Sequence, residues 1–303
     1  MKRMTAWIAC LCILLFCLPF SVSAEQVDIQ KESSLTLQYR YGEEVFPDLS
    51  IRTYLVAAVA PNGEMALTGA FVDYPINIDG IEEQSEWQRI ATTFAAYILA
   101  DNIEPTSDGI TDAEGYVRFE NLLPGMYLTL SVRVEKGSTL TVFETFLTVI
   151  PQPVNGAYVY DVTAYPKCEQ QTVQPTLITH KVVKQWKDGG HTDLRPQGVT
   201  VDILRDGELQ TTEVLSAENN WSYVWQAPDD GAKWQAVERD VAEHYTVSVE
   251  ELDSTIVITN VYEHKDDAEQ TGDIAMPQLY MLILCVAGLV LLLIAAYRKR
   301  LGI

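Results

Sequence analysis

Three polar side chains stand where the strand pattern asks for apolar ones. In the stretch Ile178 to Trp186 (ITHKVVKQW), read as a β-strand, alternation puts Ile178, His180, Val182, Lys184 and Trp186 on one face. A second such face carries Trp234, Ala236 and Glu238, and a third carries Ile256, Ile258, Asn260 and Tyr262. A lone buried charge is costly and tends to neutralise. Buried together, Lys184 is expected to become a neutral amine and Glu238 a protonated acid. A neutral amine is a nucleophile, and a hydrogen-bonded carboxamide is an electrophile. Lys184 could then add to the side-chain carbonyl of Asn260 while Glu238 passes a proton to the departing nitrogen. The product would be an amide cross-link and one free ammonia. A second reading of the same residues has Lys184 snorkelling from an edge, Asn260 satisfying a bulge, and Glu238 forming an ordinary buried ion pair with Lys184.

The chemistry requires strands that bring the three residues together. Region 176–263 reads as short strands at sandwich spacing, with turns at Asp188-Gly189-Gly190, Asp206-Gly207 and Asp229-Asp230-Gly231. Lys184, Glu238 and Asn260 are then expected on its first, penultimate and last strands. Upstream, region 25–167 reads as strands with one helix. Leu35, Leu37 and Tyr39 alternate, as do Ile51, Thr53 and Leu55. Helical spacing over 85–101 places Trp87, Ile90, Ala91, Phe94 and Ile98 on one stripe, with Ser85 and Gln88 as a capping box. Residues 168–175 (CEQQTVQP) have no apolar period and read as a linker.

The second region resembles the Cna-B-type domains of Gram-positive surface proteins. The resemblance is carried by Val183-Lys184-Gln185-Trp186, Arg195-Pro196 before Val199-Thr200-Val201, Asn219 to Trp225 (NNWSYVW), and Ile258 to Tyr262 (ITNVY). It implies an isopeptide bond between Lys184 and Asn260 assisted by Glu238. This chain has Trp234-Gln235-Ala236-Val237 before the glutamate, where the family usually has a Tyr-Thr-Val-Thr-like run. Region 33–167 is similar to the N-terminal domain of pilin-type subunits, on Ser34 to Leu37, the Trp87 helix, Thr111 to Phe119, Leu123 to Leu128 and Tyr158 to Lys167. That similarity implies that Lys167, after Tyr165-Pro166, receives a neighbouring subunit's C-terminal threonine through sortase chemistry; alternatively, it merely ends a strand. The first strand of this region offers no lysine, so a cross-link of its own is not expected. The expected fold is all-β: two tandem Ig-like, Cna-B-type sandwiches, the first with one inserted helix, followed by a transmembrane helix.

Both ends differ from the middle. Residues 1–24 open on Lys2 and Arg3, run apolar from Trp7 to Phe20 and close on Val22-Ser23-Ala24, as a secretory signal peptide does. Residues 274–297 form an apolar run that, at about 1.5 Å per helical residue, spans a hydrocarbon core of roughly 30 Å. The basic tail 298–303 (Arg298-Lys299-Arg300 first) is expected to stay cytoplasmic, and 264–273 to form an acidic tether. Thr271-Gly272 before the apolar run has the layout of a sortase sorting signal. The leucine and proline of the usual motif are replaced, however, by Ala268 and Glu269. Retention in the membrane and transfer to the wall both remain open.

Five of the 21 basic residues and none of the 42 acidic ones lie in 1–24 and 274–303, which leaves the segment between at −26. Such a surface repels nucleic acid. Of the five cysteines only Cys168 falls outside the two apolar ends, so no intrachain disulfide and no cysteine-based metal site is expected. His180, His191, His244 and His264 form no Ser/His/Asp or metal set, which argues against a hydrolase. The reading is a non-enzymatic cell-surface stalk or pilin-like subunit that needs no cofactor. Its expected partners are sortase, neighbouring subunits and the membrane. The alternative is an adhesin whose first region binds a host or polysaccharide ligand.

Overall fold

Residues 26–173 and 176–263 are described by a computed structural model. The expected signal peptide, tether, membrane helix and basic tail, with Thr271 and Gly272, lie outside the described residues.

In the first region the alternating strands pair as their patterns require. Ser33–Gln38 lies between Asp161–Ala164, parallel to it, and Tyr116–Leu122, antiparallel. Ser50–Val59 and Gly125–Thr129 form the centre of a five-stranded sheet with Phe146–Ile150, Met65–Leu67 and Ser107–Ile110. One face of this region buries Leu35, Leu37, Tyr39, Phe46, Ile51, Tyr127 and Phe143 in a common cluster. The opposite face presents Tyr54, Val56, Met126 and Leu128 to a second cluster, which contains the helix. Gly125 opens its strand where the backbone of Ala57 leaves no room: a Cβ there would strike the Ala57 carbonyl and the Leu55 side chain.

The helix, α1 (Gln84–Ala100), falls within one residue of its expected limits. The expected capping box does not form. Glu83 is the N-cap and makes no side-chain cap bond, because the chain enters helical geometry at Gln84, ahead of Ser85. Gln88 instead donates to the Thr145 carbonyl at 3.3 Å. Residues 93–98 are all buried, more than one full turn, so α1 is covered on more than its apolar stripe.

The second unit has seven strands: β1 (Leu177–Lys187), β2 (Gly198–Arg205), β3 (Glu208–Ser216), β4 (Ser222–Pro228), β5 (Trp234–Glu238), β6 (Tyr245–Leu252) and β7 (Thr255–Tyr262). One sheet runs β4-β1-β7-β6 and the other β3-β2-β5. First and last strands are parallel neighbours. Glu238 therefore sits on the third strand from the end, not the penultimate one. The added strand is β6, whose half-buried alternate residues gave a weaker pattern than its neighbours.

Two expectations about organisation change. Of the expected linker, Cys168–Thr172 forms a strand paired with Thr139–Phe143. Its residues are mostly exposed, so main-chain hydrogen bonds rather than an apolar face hold it. Nor are the two regions independent bodies. A single buried cluster runs from Tyr54 and Met126 through Phe94 and Ile98 of α1 to Val201, Val237 and Val249, and the chain up to Glu263 forms one compact unit.

Candidate functional site

On β1 the alternation holds residue by residue. His180, Val182 and Lys184 are buried, while Thr179, Lys181, Gln185 and Lys187 are exposed. Parallel pairing sets Lys184 opposite Ile258 and Trp186 opposite Asn260. Lys184 and Asn260 are thus diagonal neighbours on one inward face, within reach of a long side chain. Glu238 comes from the facing sheet, where it pairs with Val201 of β2. The two sheets of the sandwich close over the three side chains, leaving Lys184 4%, Glu238 1% and Asn260 0% exposed.

Glu238 touches both of the others. Its Oε1 accepts a hydrogen bond from Asn260 Nδ2 at 2.8 Å, and its Oε2 lies 3.5 Å from Lys184 Nζ. Lys184 Nζ also donates to the Gln185 carbonyl at 3.0 Å and stands 4.0 Å from the centre of the Trp186 ring. Glu238 Oε2 and Asn260 Oδ1 have no hydrogen-bond partner among the described residues. A separation of 3.5 Å is long for a strong charge-assisted bond, so the lysine and the acid are close without neutralising the cost of burial. Burial accordingly pushes Lys184 down to about 8, partly offset by the Glu238 charge. Burial pushes Glu238 up, opposed by Lys184 and by the Asn260 hydrogen bond. Both directions favour a neutral amine beside a protonated acid.

The unusual segment before the glutamate raises the question of which acid serves. The Tyr-Thr-Val-Ser run occurs later, in β6, and leads to Glu250. Glu250, however, is partly exposed and faces Arg89 at 3.8 Å. Glu238 is the acid beside Lys184.

Trp186 is held in place by groups that the strand pattern gave no means of finding. Asp188 accepts from Arg195 Nε and Nη2 at 2.5 and 2.9 Å, and from the Tyr245 hydroxyl at 3.4 Å. Those bonds, the Arg195 ones foremost, hold the Asp188 carboxyl well below the usual range. Arg195 lies 5.6 Å from the Trp186 ring centre, and Tyr245 and Trp221 meet that ring edge-on at 5.3 and 5.4 Å. In the sequence Arg195 stands out only through a resemblance, and Asp188 only as a turn residue. Nothing in their spacing ties them to Lys184.

The other expected sites lie apart from this one. Lys167 is exposed beyond the strand Asp161–Ala164, and its backbone carbonyl accepts from the Glu144 N–H at 2.9 Å. The neighbouring Tyr165 is 65% exposed. Leu35, Leu37 and Tyr39 point into the first region's core, and among the described residues no buried lysine comes from that region. Cys168 is half-buried and its thiol donates to the Arg40 carbonyl at 3.3 Å. Burial, with a smaller contribution from Glu144, raises its pKa, which disfavours the reactive thiolate.

Residues 180–261 match the Cna protein B-type domain family. Over 110 residues the chain is 32% identical to the collagen adhesin of Staphylococcus aureus, a match that covers 31% of this chain but 9% of that protein. Among solved structures, a single B repeat unit of the Staphylococcus aureus collagen-binding surface protein is 17% identical. It covers 77% of this chain and 98% of its own, with a TM-score of 0.27. The full-length major pilin SpaD of Corynebacterium diphtheriae is 11% identical and covers 80% of this chain and all of its own, with a TM-score of 0.29. TM-scores this low establish no shared overall arrangement.

Proposed function

Taking the second unit as a Cna protein B-type domain, we propose that this chain is a non-enzymatic bacterial surface protein whose second sandwich is closed by an amide that forms by itself between Lys184 and Asn260. The neutral Lys184 amine adds to Asn260 Cγ. Glu238, hydrogen-bonded to Asn260 Nδ2, takes up the proton released by the amine and delivers it to the leaving nitrogen. One ammonia departs and one C–N bond replaces another. Each molecule reacts once, so the step matures the fold without turnover. The reading is carried by one observation: a fully buried glutamate that touches a buried lysine and a buried asparagine on adjacent strands.

The proposed role is a stalk or pilin-like subunit, exported by residues 1–24 and held by 274–297 unless sortase acts at Thr271-Gly272. Exposure of Lys167 is compatible with linkage to a neighbouring subunit. A host or polysaccharide ligand for the first region would add adhesion to the same stalk. Intact mass spectrometry tests the cross-link. The expected result is a mass short by one ammonia, restored to the full calculated value, apart from the substitution itself, in Asn260→Ala. A wild-type chain at full calculated mass contradicts it.

A further inference from the structure

The second sandwich does not close on its own residues. β5 and β6 are the edges of opposite sheets, and the seam between them is covered by α1 from the first region. The contact is specific. The free N–H groups along the edge of β6 are satisfied from upstream: Val249 N–H donates to Thr93 Oγ1 and Val247 N–H to the Pro75 carbonyl, both at 2.8 Å. Exposed strand edges are usually blunted or covered in this way. On β5 the outward residues Gln235 and Val237 are buried along with the inward Ala236 and Glu238, so this strand is covered on both faces.

The covering helix reaches the residue that carries the chemistry. The Tyr97 hydroxyl donates to the backbone carbonyl of Glu238 at 2.9 Å. The next residue, Arg239, bridges Asp101 at the end of α1 and Asp202 of β2, each at 2.5 Å. The strand end bearing Glu238 is thus pinned at the Glu238 carbonyl and again at the next side chain. Tyr97 itself is 5% exposed, so the bond is shielded from water.

We infer that α1 is a working part of the cross-linking site: Tyr97 is a positioning residue for Glu238, and amide formation in the second unit depends on the first region being docked. The inference rests on the proposed Lys184–Asn260 amide and adds a requirement to it. Undocked, β5 would lose its outer cover, the β6 edge would be bare, and water would reach the site that must stay dry for Lys184 to be neutral. A chain that closes its covalent lock only after both regions have packed cannot lock a half-folded product.

Burial raises the Glu238 carboxyl against Lys184 from β1 and the Asn260 hydrogen bond from β7; the other titratable and charged groups at this strand end are Tyr97 and Asp101 from α1, Asp202 from β2 and the neighbouring Arg239. The test follows ammonia loss by intact mass in the full chain, refolded from denaturant over a range of pH. Wild type is compared with Tyr97→Phe, which keeps the ring and removes the hydroxyl, and with Asp101→Asn, which weakens the Arg239 bridge. The expected result for Tyr97→Phe, read under conditions where the variant is folded, is a rate lower by about tenfold and an acid limb of the pH profile moved toward the ordinary carboxylate range. Asp101→Asn is expected to move both readouts in the same direction by less. Wild-type rates and profiles in both variants overturn the inference and leave the amide standing. A slower rate with an unmoved pH profile also overturns it, since that reduces Tyr97 to a packing contact. Full calculated mass in the wild type overturns the amide and this inference together.

Discussion

At 2.8 Å from Asn260 Nδ2 and 3.5 Å from Lys184 Nζ, the Glu238 carboxyl can move a proton between amine and leaving group with little rearrangement. Glu238→Gln keeps the volume but loses the titratable proton. Ammonia loss, followed by intact mass, is expected to slow by on the order of a hundredfold or more. Lys184 gives a second expectation, read in the unlinked Asn260→Ala chain. Its native pKa of about 8 lies below the ordinary 10.5. Between those values the unfolded chain binds more protons than the native one, so stability rises with pH across that window. Below pH 8 the burial penalty is present in full. Relative to a Lys184→Met, Asn260→Ala double variant, the gain from pH 8 to 10.5 in denaturant titrations is expected to be on the order of 3 kcal/mol; a flat difference rejects it. The three central residues were legible because a period of two leaves few ways to place Lys184, Glu238 and Asn260 among apolar neighbours. The Asp188–Arg195–Tyr245 support was not, because it joins a turn, a loop and a strand whose meeting depends on the completed fold.

Among elements, β5 and α1 show what periodicity carries and what it leaves out. The inward face of β5 follows from its alternation, yet its outward residues are buried too, since a helix from a distant segment packs there. A single-strand pattern reports which residues share a face and not what covers the other one. The α1 stripe of Trp87, Ile90, Ala91, Phe94 and Ile98 was legible. The inclusion of Thr93 and Tyr97 in the buried surface was not, because Thr93 serves the hydrogen-bonding edge of β6 and Tyr97, whose ring joins the core, spends its hydroxyl on the Glu238 carbonyl. Thr93→Val should leave the Val249 N–H buried and unpaired at a cost of about 1–3 kcal/mol, measurable by urea denaturation of the Asn260→Ala background. Gly125→Ala should destabilise through a different cause, the collision of its new Cβ with the Ala57 backbone. Main-chain displacement at a central strand pair is expected to cost roughly 1–3 kcal/mol, with no effect on ammonia loss in the folded fraction.

For the molecule as a whole, the proposed amide would join the first and last strands of the second unit, which are already parallel neighbours. Pulling on the chain ends would then load a covalent bond before it could peel the sheet apart. By analogy with a disulfide closing a loop of similar length, the link should contribute on the order of 4 kcal/mol by restricting the unfolded chain. Wild type is therefore expected to melt well above Asn260→Ala in calorimetry. Overall architecture was legible only in part. Strand-rich regions and the helix could be read along the chain, while their fusion into one core depends on contacts between segments more than a hundred residues apart, such as Tyr97 with Glu238. The most direct measurement is tandem mass spectrometry of a protease digest of the purified protein. A branched peptide in which Lys184 Nζ is acylated by the Asn260 side chain is the expected result. Separate, unmodified peptides containing Lys184 and Asn260, with no branched species, would contradict the account.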